Sequence, residues 1–136
     1  MSVRSSTILL VDDEAPQREQ MRRALRSAGY QVLVCSDYGG ALAHFQQHSG
    51  EVDLLITDLA LPGKNGFQLA QALCEIRPRL KVLFTSAQAG AELNRYYGIH
   101  QSDLNFLAKP FQSMELIARV NHCLESGGAQ YGSAGC

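Results

Sequence analysis

The stretch Thr7-Ile8-Leu9-Leu10-Val11-Asp12-Asp13-Glu14 decides how the rest of the chain is read. Thr7–Val11 is apolar or β-branched with no polar alternation, the pattern of a strand buried on both faces of a parallel sheet. Two acids end it, and a period near 3.6 begins. From about Glu14 to Ala28, Met21, Ala24, Leu25 and Ala28 recur at helical spacing, Pro16 falls in the tolerant first turn, and Gly29 stops the run.

The same alternation continues to the far end of the chain. Further strands are expected at Val32–Cys35, Asp53–Thr57, Lys81–Thr85 and Asn105–Leu107, each too short for a helix. Ala41, Leu42 and Phe45 mark a second helix that Gly50 ends, and Phe67, Ala70, Leu73 and Cys74 mark a third that Pro78 closes. Ala89, Leu93, Tyr96 and Tyr97 give a fourth, with Gly98 after it. Ser113 is the expected N-cap of the last helix, whose inward stripe reads Met114, Ile117, Val120 and Leu124. Five β-α units of this kind predict an α/β fold with a doubly wound, five-stranded parallel sheet. After Glu125, residues 126–136 lose periodicity, and a flexible tail or the start of a linker is expected there.

Composition narrows the function. The 136 residues are about one domain, 46% hydrophobic and 18% charged, which excludes a disordered charged tail as the main reading. Twelve Lys+Arg against thirteen Asp+Glu leave a formal charge of −1, so no global positive field draws nucleic acid or anionic lipid. Apolar runs are far shorter than the roughly 20 residues that span a bilayer, and acids arrive too early for a signal-peptide core. A cytoplasmic protein is expected, with no membrane and no direct nucleic-acid partner. Cys35, Cys74, Cys123 and Cys136 show no metal or redox spacing; the first three read as buried thiols.

Polar residues interrupt the pattern at one structural place. Asp12 and Asp13 follow the first strand, Asp58 the third, Ser86 the fourth and Lys109 the fifth. Parallel strands carry these ends to the same edge, so side chains as distant as Asp12 and Lys109 converge where such sheets bind ligands. Three carboxylates together repel unless a cation intervenes. Oxygen ligands without His or Cys favour Mg²⁺, with Mn²⁺ an alternative, over zinc. An ammonium and a hydroxyl then complete a site for a transferred phosphoryl group, with Asp58 as nucleophile.

Val11-Asp12-Asp13-Glu14, the run from Asp58 through Pro62 to Gly66, Phe84-Thr85-Ser86-Ala87 and Phe106-Leu107-Ala108-Lys109-Pro110-Phe111 together resemble the receiver domain of bacterial two-component response regulators, the CheY-like family. The likeness spans about residues 5–125 and implies a flavodoxin-like (βα)5 fold with strand order 2-1-3-4-5. It further implies that Asp58 accepts phosphate from a sensor histidine kinase or a histidine phosphotransfer protein. Asp13, Asp58 and the Ala60 backbone carbonyl would hold Mg²⁺, with Asp12 helping through water, and Lys109 would pair with phosphoryl oxygens. Ser86 would turn toward the phosphoryl group, Phe106 would move inward as the switch aromatic, and Lys109-Pro110 would be cis. By the same resemblance the face of the fourth helix, fifth strand and fifth helix changes its binding, to a downstream effector or in a phosphorylation-dependent dimer. The chain is then a stand-alone regulator or the receiver of a larger regulator or hybrid kinase, and a switch rather than an enzyme with a small-molecule substrate.

Each residue has a plainer reading alone. Asp12 and Asp13 could cap a helix, Asp58 could serve a turn, Ser86 could bond locally, Lys109 could be a solvated cation and Phe106 plain core. Arg18, Arg22, Arg23 and Arg26 read most simply as a solvated helix face, open in part to a kinase, and the four histidines show no metal spacing. A Mg²⁺-dependent aspartyl-phosphate phosphatase or phosphotransferase is the alternative function, but Ala60 stands where such enzymes commonly carry a second acid. A flavin or nucleotide binder lacks its glycine motif.

Overall fold

The computed structural model describes residues 5–48, 50–98, 100 and 104–125. Its elements alternate strictly: β1 (Thr7–Val11), α1 (Ala15–Ser27), β2 (Gln31–Cys35), α2 (Tyr38–His48), β3 (Leu54–Asp58), α3 (Gly66–Ile76), β4 (Lys81–Ser86), α4 (Ala91–Tyr97), β5 (Phe106–Ala108) and α5 (Ser113–Glu125). The strands pair in parallel in the order β2-β1-β3-β4-β5, as expected. Residues 126–136, where a tail was expected, lie outside the described residues.

Alternate strand residues feed two cores. Leu9, Val11, Leu55, Val82 and Phe84 meet Phe45, Leu69, Leu73 and Leu93 on one face. Ile8, Leu10, Ile56 and Leu83 meet Met21, Leu25, Leu116 and Val120 on the other. The central strands β1 and β3 are buried throughout, which is why they read as unbroken apolar runs. By contrast β2 is an edge strand, and Val34 is 37% exposed.

Helix phases needed correction in two places. The buried row of α5 is Leu116, Val120 and Cys123, with Ile117 and Leu124 half-buried, whereas Met114 is 81% exposed. Of the expected stripe, Val120, Ile117 and Leu124 do pack inward and only Met114 turns out, because Met114 and Leu116 are both apolar and only packing against the sheet chooses between them. In α4, Leu93 is buried but Tyr96 faces solvent, since seven residues on the rim present one row inward. Ser113 is not the cap of α5 but its first residue; Gln112 precedes it, and its N–H donates to Glu115 Oε1. Gly98 ends α4 at φ +69, a left-handed turn that glycine adopts without strain. The Lys109-Pro110 bond is cis, and Cys35, Cys74 and Cys123 are buried, as expected.

Strand order reverses between β1 and β3, which run out side by side from the middle of the sheet. The crevice above their carboxyl ends is where an open α/β sheet binds ligands.

Candidate functional site: an acid-lysine cluster above the sheet

Asp12 leaves the end of β1 and Asp58 is the last residue of β3. Thus Asp58 and Ser86 belong to their strands rather than following them, each held in the ladder. Both carboxylates converge on Lys109, whose Nζ lies 2.6 Å from Asp58 Oδ2 and 2.9 Å from Asp12 Oδ2. The lysine reaches them because the Lys109 N–H donates to Ser86 O at 2.8 Å, continuing the β4-β5 ladder by one residue.

Each acid is oriented by backbone as well. The Ala60 N–H donates to Asp58 Oδ1 and the Glu14 N–H to Asp12 Oδ1, both at 2.9 Å. Asp12 thus shapes the turn before α1 without capping the helix, whose N-cap is Glu14, while its second oxygen serves the cluster. The α3 amino end presses on Asp58 from below: a Cβ on Gly66 would come within 2.2 Å of the Asp58 carbonyl oxygen, so only glycine fits.

Glu14 was not among the expected site residues. Its carboxylate joins Asp12 and Asp58 in a group that offers one oxygen from each acid within 4.8 Å of the others, and it stands 3.8 Å from Lys109 Nζ. Its signal was its place in the Asp12-Asp13-Glu14 run, masked because an acid at a helix start is ordinary. Asp13 and Ala60 line an open cavity of about 270 Å³ with Glu14, Asp58, Ala87, Gln88 and Lys109. Ser86 is fully buried and does not bond Asp58; its Oγ accepts the Gln88 N–H at 3.0 Å. Phe106 is already packed in the core and pairs with Phe84 across the ladder.

Three acids face one ammonium. Burial pushes the Asp58 carboxyl above its ordinary range, against the pull of Lys109 and the Ala60 N–H, and the neighbouring Asp12 adds to the push. Burial works to lower the Lys109 pKa, but its hydrogen bonds to Asp58 and Asp12 prevail and hold it above the usual lysine value. Hard oxygen donors with excess negative charge fit a divalent cation such as Mg²⁺.

The family model for the response regulator receiver domain matches residues 8–121. The chain is 36% identical over 124 residues to the phosphate regulon transcriptional regulatory protein PhoB of Pseudomonas aeruginosa, an alignment covering 90% of this chain and 53% of that protein. To the sensor kinase CckA of Brucella abortus it is 34% identical over 121 residues, 89% of this chain and 13% of the kinase. The solved structure of the Vibrio cholerae chemotaxis protein CheY4 superposes with a TM-score of 0.76 at 25% identity, covering 89% of this chain and all of that one. A doubly wound sheet carrying an acid-lysine cluster at its switch point is the receiver class of signalling switch. This chain belongs to the response regulator receiver domain family, and it spans about half the length of PhoB and a small part of CckA.

Proposed function

We propose that residues 5–125 form a phosphorylation-activated switch in which Asp58 takes a phosphoryl group from the phosphohistidine of a sensor kinase or phosphotransfer protein. The observation that carries this reading is the Lys109 ammonium shared by Asp12 and Asp58, groups that lie 97 and 51 residues away from it in sequence. Such convergence has no use in an isolated turn or cap.

An Asp58 carboxylate oxygen attacks phosphorus as the phosphorus-nitrogen bond to the donor imidazole breaks, its electron pair leaving with the imidazole. Lys109 then holds a phosphoryl oxygen in place of part of its present carboxylate contact. Asp13, Asp58 and the Ala60 carbonyl would hold Mg²⁺, with Asp12 acting through water and Glu14 close by. Bound there, Mg²⁺ supplies positive charge against the crowded acids and the phosphoryl oxygens. Ser86, released from Gln88, turns its hydroxyl to the phosphoryl group, and the Ser86/Phe106 region passes the change to α4, β5 and α5. The setting is the cytoplasm and the output is binding to an effector or to a second copy; among the described residues no helix is long and apolar enough to cross a membrane.

The test is incubation with acetyl phosphate and Mg²⁺ followed by intact-mass measurement. The parent gains one phosphoryl group that hydroxylamine removes, and Asp58→Asn gains none; equal labelling of the two would overturn the assignment.

A further inference from the structure

The arginines of α1 do not behave alike. Arg22 and Arg23 bind Glu19 on the helix surface, whereas Arg18 turns back and donates from Nη1 to the backbone carbonyl of Asp12 at 2.8 Å. Arg18 is the fourth residue of α1, near the end where the helix dipole disfavours a cation. The carbonyl it serves belongs to the peptide joining Asp12 to Asp13. On the other side, the Asp12 N–H donates to Cys35 O at 3.2 Å at the end of β2. Asp12 is therefore held at four points: its N–H by β2, its carbonyl by Arg18, and its two carboxylate oxygens by the Glu14 N–H and Lys109.

We infer that Arg18 is a positioning residue for the divalent-cation site, locking the Asp12–Asp13 peptide so that both acids leave it in a fixed direction. The inference rests on the phospho-acceptor reading of the same site. Arg18 touches neither phosphorus donor nor acceptor; it acts through the orientation of the ligand loop. A guanidinium suits this task because it donates along a fixed plane and stays charged at any working pH. Outer groups of this kind commonly govern metal affinity by tenfold or more.

The experiment compares parent, Arg18→Met and Arg18→Lys by calorimetric titration with Mg²⁺ and with Mn²⁺. Urea unfolding is followed in parallel, and acetyl phosphate labelling rates are taken at rising Mg²⁺. Arg18→Met should raise the Kd for both ions about tenfold and leave the labelling rate at saturating Mg²⁺ within about twofold of the parent. Arg18→Lys, which can still donate to the carbonyl, should recover most of the affinity. Unchanged affinity in Arg18→Met overturns the inference, and so does tighter binding, which would make the guanidinium a competitor of the ion. Loss of affinity that merely follows a drop in the urea midpoint, unrepaired in Arg18→Lys, overturns it as well. These outcomes leave the phospho-acceptor reading standing provided the parent binds Mg²⁺ and labels at Asp58; a parent that does neither removes both.

Discussion

Asp58 sits where burial and a lysine pull in opposite directions, and burial prevails. Because its folded-state pKa lies above the ordinary value of 3.8, the folded chain binds that proton more tightly than the unfolded chain does. The associated stability is present below the ordinary value and is lost as pH rises through the raised one. Asn at this position mimics the neutral acid. Without Mg²⁺, Asp58→Asn should therefore be more stable than the parent at pH 7 by about 1 kcal/mol, and the gap should close as pH falls toward 4. Urea midpoints read by circular dichroism check this, and a gap independent of pH would contradict it. At this scale, the chemical types of Asp12, Asp58 and Lys109 were legible because each interrupts an apolar run. Glu14 and Arg18 were not, since an acid or a base on the border of a helix is the commonest surface pattern and only a partner distinguishes it.

Among the elements, α3 bears most directly on Asp58, the proposed acceptor. It begins with a capping box in which Asn65 Oδ1 accepts the Gln68 N–H and Gln68 Oε1 accepts the Asn65 N–H, each at 2.8 Å. The Gly66 N–H beyond it donates to Leu59 O at 2.9 Å, which closes the loop that leaves Asp58. Asn65→Ala should cost about 1 kcal/mol of stability by urea unfolding and slow acetyl phosphate labelling; full stability in the variant would show that the loop does not lean on the cap. Strand and helix existence could be read from periodicity throughout, and Thr7–Val11 and the Gly98 stop agree residue for residue with expectation. Phase was harder. Leu116 rather than Met114 faces inward because the α1-side core chooses which apolar row of α5 it covers, a choice made by neighbours distant in sequence.

For the whole molecule, the fold brings Asp12, Glu14 and Asp58 together, and their mutual repulsion, met only in part by Lys109, is what a bound cation would relieve. Mg²⁺ at ten times its Kd should add about 1.4 kcal/mol of stability, read as a rise of about 5 °C in Tm, with little rise in Asp58→Asn. Equal rises would place the cation elsewhere. From its sequence alone the chain declared its class, because buried strands, helix periods and end-of-strand acids are local patterns written within a few residues of each other. What tertiary structure decided is which of those groups touch. Asp12 and Asp58 share the Lys109 ammonium while Ser86 turns to Gln88, because strand order and ladder register bring ends together across the sheet. Whether two such groups touch depends on strand order and ladder register, which no spacing along the chain states.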